Sequence, residues 1–134
     1  MRKLIIHTDG GARGNPGPAG IGVLIEDEEG NTVLEHSRYL GEATNNQAEY
    51  TALIDALEHA KNRDGEEVDC YLDSELVVRQ LNGEYKVKDP ELAKLYLKVH
   101  NLRCAFRKAT FTHIRREQNK RADRLANDAM DRGH

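Results

Sequence analysis

Cysteine is scarce in this chain: Cys70 and Cys104 are the only two among 134 residues, and no CxxC spacing occurs. That rules against a disulfide framework and suits buried free thiols in a reducing cytoplasm. Long apolar runs are also missing. Hydrophobic residues make up 38% of the chain, but unbroken stretches last only a few residues, far short of the roughly 20 that cross a bilayer. No basic segment followed by an apolar one opens the sequence, so neither secretion nor a membrane partner is expected, and the expected location is cytoplasmic. An excess of positive charge is lacking too: 20 Lys and Arg stand against 23 Asp and Glu, for a net charge of −3. That disfavours a general nucleic-acid coat protein, yet leaves room for a local basic face around an acidic centre. Finally, the glycine-rich stretch from Gly10 to Gly20 lacks a following Gly-Lys-Ser/Thr. It is no phosphate-binding P-loop, and a strand rather than a helix follows it, which excludes a dinucleotide fingerprint.

What is present reads as one domain, residues 1–134, long enough for a sizeable core. Leu4, Ile5 and Ile6 form a short apolar run that ends on Asp9, as in a strand buried on both faces. Ile21, Val23 and Ile25 alternate in a second strand, and Thr32 to Leu40 alternates again, with Val33, Glu35, Ser37 and Tyr39 on one side. Short turns between these three predict an antiparallel meander. The period then becomes helical: Tyr50, Leu53, Ile54, Leu57 and Ala60 mark a helix over 45–61. Val68 to Leu72 is a fourth strand running into Asp73, followed by a short helix closed by Gly83. Asp89 and Pro90 open a third helix as cap and first residue. Ala109 to Ile114 is a fifth strand, and Asn119 to Met130 a last helix. The expected fold class is α/β, with a mixed five-stranded sheet flanked by helices.

Four carboxylates fall at junctions of these elements: Asp9 after strand one, Glu49 in the first turn of the first helix, Asp73 after strand four, and Asp123 near the start of the last helix. Each alone has a plain structural explanation. Glu49 follows Asn46 at capping-box spacing, Asp73 could cap the helix it precedes, and Asp123 suits the positive end of its helix. Together they could converge at one end of the sheet. Four carboxylates sharing a small site need a cation, since repulsion would otherwise protonate some of them. Oxygen-only donors favour hard ions such as Mg²⁺ or Mn²⁺.

Five segments in order then resemble the motifs of type 1 ribonuclease H: Asp9-Gly10-Gly11, Gly14-Asn15-Pro16-Gly17-Pro18, Thr44-Asn45-Asn46-Gln47-Ala48-Glu49, Asp73-Ser74, and Asn119-Lys120-Arg121-Ala122-Asp123. The resemblance spans essentially the whole chain. It implies a ribonuclease H-like sheet of three antiparallel strands and then two parallel ones. It implies Asp9, Glu49, Asp73 and Asp123 as catalytic ligands of two Mg²⁺ ions, with Mn²⁺ as a substitute. The implied reaction is endonucleolytic hydrolysis of the RNA strand of an RNA/DNA hybrid, largely independent of sequence, because phosphate and sugar contacts position without reading bases. Gly10, Gly11 and Glu49 are placed to face the ribose 2′-hydroxyl, the group that tells RNA from DNA. Asn15, Asn45 and Glu75 match minor-groove positions of the family, although Glu75 replaces the commoner glutamine, and Thr44 matches a DNA-phosphate contact.

Some relatives carry a basic handle between the helix after Asp73 and the next one. Here Asn82 to Lys88 leads straight to Asp89-Pro90, so a short form without the handle, and without a separate hybrid-binding domain, is expected, as a monomer. The pair Arg115 and Arg116, with Lys120 and Arg121, clusters just before Asp123 and is a candidate phosphate contact, whereas Lys86, Lys88, Lys94 and Lys98 suit a solvated face. His113 lies at about the offset of a loop histidine that relatives use in catalysis. It falls inside the fifth strand, however, and a structural role is the expectation. The alternatives are a DNA nuclease on the same fold and a hybrid-binding module without catalysis.

Overall fold

The computed structural model describes residues 2–134. Its elements follow the expected order: β1 (Lys3–Ala12), β2 (Gly17–Asp27), β3 (Thr32–Ala43), α1 (Asn45–Asn62), β4 (Glu67–Leu72), α2 (Glu75–Leu81), α3 (Pro90–Arg103), β5 (Lys108–His113) and α4 (Lys120–Arg132), with a single 3₁₀ turn at Arg116–Gln118. The strands form one sheet in the order β3-β2-β1-β4-β5. β1 runs antiparallel to β2 and parallel to β4, and β4 is parallel to β5. Residues 82–89 join α2 to α3 with no helix between them.

β1 differs from expectation in its length. It does not end at Asp9: Gly10, Gly11 and Ala12 continue the ladder against Ile21, Gly20 and Ala19. What ends there is the parallel ladder to β4, whose last pair is Thr8 with Leu72. Asp9 is therefore the first β1 residue past its parallel neighbour, and Asp73 the first residue past β4. Two carboxylates emerge where two central strands part. β3 alternates less regularly than its sequence implies, since register shifts leave Val33 and Leu40 unpaired with β2.

The alternating side chains build two unequal faces. Leu4, Ile6, Val23 and Ile25 pack with Leu53, Leu57 and Ala60 of α1, and Val77, Leu92 and Val99 of α2 and α3 close the same core. Each such aliphatic residue, fully buried, contributes about 1.5–3 kcal/mol. Tyr50 reaches from α1 to α2, its hydroxyl donating to Gln80 Oε1 at 2.7 Å.

The opposite face is covered by α4, and close approach decides its seat. Ala122, Ala126 and Ala129 are the buried residues of α4. A Cβ on Gly20 would lie 2.8 Å from the Ala126 carbonyl oxygen, and one on Gly22 would run into the Ala122 carbonyl. Glycine against alanine lets the helix lie almost on the strand backbone, which fixes the depth of everything α4 carries. Of the two thiols, Cys70 is buried, but Cys104 is exposed, correcting the expectation of two buried cysteines. It sits just past α3, where its Sγ points to the His100 carbonyl oxygen at 3.3 Å.

Candidate active site

The site begins with the cap of α1. Thr44 Oγ1 accepts from the Gln47 amide at 3.1 Å, and Gln47 Oε1 accepts from the Thr44 amide at 2.9 Å. This reciprocal pair is the capping box. The alternative pairing of Asn46 with Glu49 is not used, and Glu49 is the fifth residue of α1 rather than part of its first turn. Freed from capping, Glu49 turns to the sheet and accepts the Gly10 amide through Oε1 at 3.1 Å. Gly10 makes this possible, because a Cβ there would collide with the Ala48 backbone. Asp73 likewise does not cap its helix: Ser74 does, accepting from the Val77 amide at 3.4 Å.

Asp9, Glu49 and Asp73 each offer one carboxylate oxygen, and these oxygens all lie within 4.8 Å of one another. Asp123, in the first turn of α4, stands outside that set but close enough for its charge to act on Asp9. Burial, reinforced by Glu49, Asp73 and Asp123, pushes the Asp9 carboxyl far above the usual carboxylate range. Burial and the charge of Asp73 raise that of Glu49, with the Gly10 amide opposing. Glu49 Oε2 is buried without a partner. An all-oxygen donor set, crowded negative charge and an orphaned carboxylate oxygen fit a hard divalent cation.

These groups open into a cleft of about 450 Å³ whose wall includes Gly10, Gly11, Asn45, Ser74, Arg116 and Asn127 beside the four acids. The expected substrate residues divide. Gly10, Gly11 and Asn45 line the cleft. Asn45 Oδ1 accepts the Ala12 amide at 2.8 Å, and Asn15 Oδ1 accepts the Asn45 amide at 3.1 Å, so Asn15 braces the rim from behind. Thr44 and Glu75 are not part of the wall; Glu75 is exposed and pairs with Arg79 at 3.4 Å.

The basic cluster divides as well. Arg116 reaches Asp123 at 3.5 Å, whereas Arg121 points away, pairing with Glu35 at 2.8 Å and Glu26 at 3.5 Å. His113 ends β5 as an exposed residue and is absent from the cleft wall. One polar residue at the site went unrecognised in the sequence, and another was named there only as part of a motif. Asn127 donates to Asp123 Oδ2 at 3.2 Å, and the four-residue step from Asp123, one helical turn, could have revealed it. Asn119, which opens the last of the five motifs, is buried between Thr8 and Asp73, and no local pattern marks those contacts.

A mixed sheet with buried acids at the divergence of its central strands defines a recognisable class. Residues 7–129 match a family model described as Reverse transcriptase-like. The Bifunctional protein Rv2228c of Mycobacterium tuberculosis is 47% identical over 130 residues, which cover 96% of this chain and 36% of that protein. The chain thus spans only 36% of the length of the mycobacterial relatives it matches. The Ribonuclease H of Rhodopseudomonas palustris (strain BisB5) is 36% identical, covering 97% of this chain and 93% of that protein. The structure of LC11-RNase H1 in complex with RNA/DNA hybrid superposes with a TM-score of 0.91 at 52% identity, covering 96% of this chain and 97% of that one. The chain belongs to the ribonuclease H family.

Proposed function

We propose that this domain hydrolyses the RNA strand of RNA/DNA hybrids, endonucleolytically and with little regard to sequence, using divalent cations, Mg²⁺ or Mn²⁺. The observation that carries the reading is the triad of buried Asp9 and Glu49 with half-buried Asp73, whose oxygens converge within 4.8 Å at the floor of an open cleft. The similarity to LC11-RNase H1, whose structure contains RNA/DNA hybrid, supports the choice of substrate.

Asp9, Glu49 and Asp73, with Asp123 at the edge, would hold the ions. Bound there, divalent cations supply Lewis acidity toward a phosphodiester and lower the pKa of coordinated water. The remaining tasks belong to the chain. Asp9 and Asp73 project from paired strands, so their separation is set by the sheet rather than by a loop. Glu49 is aimed by the Gly10 amide, which leaves Oε2 buried and without a partner. Gly10 and Gly11 present bare backbone to the cleft, so a ribose can approach and its 2′-hydroxyl can meet Glu49. Asn45, braced by Asn15, offers side-chain hydrogen bonds at the rim. Arg116, paired with Asp123 and largely exposed, can exchange that carboxylate for a phosphate without desolvating a buried charge.

A hybrid and a DNA duplex of one sequence, each labelled on either strand, test the substrate. Cleavage confined to the RNA strand is expected. Equal cleavage of duplex DNA would favour a DNA nuclease, and tight hybrid binding without cleavage a binding module.

A further inference from the structure

Asn119 immediately precedes α4 and is 1% exposed, yet its side chain does not cap that helix. Its amide nitrogen instead donates to the Thr8 carbonyl oxygen at 2.8 Å and to Asp73 Oδ2 at 3.2 Å. Its own backbone carbonyl accepts the Asp123 amide at 3.0 Å. A single buried residue thus joins β1 at the position before Asp9, the carboxylate of Asp73, and the helical turn that carries Asp123. An asparagine placed there only to start a helix would turn its side chain onto the first amides of that helix.

The chemistry of its partners fixes the orientation of the amide. The Thr8 oxygen and Asp73 Oδ2 are both acceptors, so only the NH₂ end can face them; the reverse arrangement would crowd three oxygens together. As a consequence Asn119 Oδ1 is buried with no partner. An unsatisfied buried acceptor is destabilising, a poor return if the residue served stability alone. Asp73 gains more, because no other side chain among the described residues donates a hydrogen bond to it. Without that tether, repulsion from Asp9 and Glu49 would swing the half-buried Asp73 carboxylate toward solvent.

We propose that Asn119 is a positioning residue that preforms the cation site, holding Asp73 Oδ2 in register with Asp9 and tying both to the start of α4. The inference rests on the metal-dependent reading above. Partners of this kind, behind the ligands themselves, typically change metal affinity or activity 10- to 100-fold.

The test is Asn119→Ala, which removes the donor and keeps the backbone carbonyl that accepts from Asp123. Calorimetric titration with Mg²⁺ should show binding weakened by about tenfold or more. Cleavage should fall at limiting Mg²⁺ and recover as Mg²⁺ is raised, with KM for the hybrid little changed. A merely structural role would lower Tm and leave Mg²⁺ affinity as it was, and that result in a folded variant overturns the proposal. Should circular dichroism show the variant unfolded, the wild-type side-chain NH₂ decides by NMR. Slow exchange with solvent and a shift on adding Mg²⁺ are expected; solvent-like exchange without a shift overturns the assignment. Wild-type protein that neither binds Mg²⁺ nor cleaves hybrid would instead sink the underlying reading, and that measurement involves no variant.

Discussion

Replacing Asp9 by Asn should make the metal-free protein more stable while abolishing cleavage. The side chain is 8% exposed and shares its surroundings with three other carboxylates. Burial first, and then Glu49, Asp73 and Asp123, raise its pKa, so its ionised form is disfavoured in the folded state. Each unit of such a shift corresponds to about 1.4 kcal/mol. Relief of even a small part of that rise at neutral pH therefore gains about 1–3 kcal/mol, tempered by relaxation around the site. For a chain of this length each kcal/mol moves Tm by roughly 3–6 °C, so scanning calorimetry in EDTA should find the variant melting about 5 °C or more above wild type. Mg²⁺ should reverse the order. At a hundredfold excess over its dissociation constant, a ligand bound only by the native state adds about 2.7 kcal/mol, and the variant, lacking a ligand, should gain little. A variant less stable than wild type in EDTA, or one that gains as much as wild type from Mg²⁺, would refute the account of Asp9.

Other perturbations probe the frame. In metal-free protein the Asp9 and Glu49 pKa values lie above their unfolded values, so their contribution is fully present below about pH 4 and is lost as pH climbs through the raised folded values. Urea unfolding in EDTA should accordingly show the stability gap between wild type and Asp9→Asn widening as pH rises from 5 to 8; a constant gap would contradict that coupling. Gly22→Ala drives a Cβ into the Ala122 carbonyl and should cost about 1–3 kcal/mol. It should also lower kcat by displacing Asp123, whereas Gly30→Ala, which strains the left-handed backbone of the turn between β2 and β3 but meets no neighbouring atom, should lower stability and leave kcat unchanged. His113→Ala, at the exposed end of β5, should reduce kcat by less than about tenfold, since a positioned general acid or base contributes about 10²- to 10⁴-fold.

Much of this molecule was legible because its chemistry sits where sequence periods break. Asp9 and Asp73 follow apolar runs, so their convergence could be read from strand pattern and the parallel pairing it implies. Helix α3 announced itself through Asp89 and Pro90, and Asp89 does cap it, accepting from the Glu91 amide at 2.9 Å. Choices between equivalent local patterns were not legible. The spacing of Asn46 and Glu49 suggested one capping box, but the box that forms is Thr44 with Gln47, and tertiary packing, with Glu49 drawn beneath Gly10, decides it. Arg116 and Arg121 looked alike in a basic run, yet one faces the cleft and the other the acids of β2 and β3. Asn119 lies 111 residues from its partner Thr8, and no window along the chain contains that contact. The extension of β1 beyond Asp9 was hidden for a different reason: glycines read as turn formers, but here Gly10 thins a strand so that α1 can close over it.

The most direct test of the central claim is a metal switch on a hybrid labelled in its RNA strand. Wild-type protein stripped with EDTA should bind the hybrid and leave it whole, and restoring Mg²⁺ or Mn²⁺ should cut the RNA strand at many positions while Asp73→Asn stays inactive under both. Cleavage that persists in EDTA, or an Asp73→Asn variant that cuts at the wild-type rate, would contradict the assignment of these carboxylates.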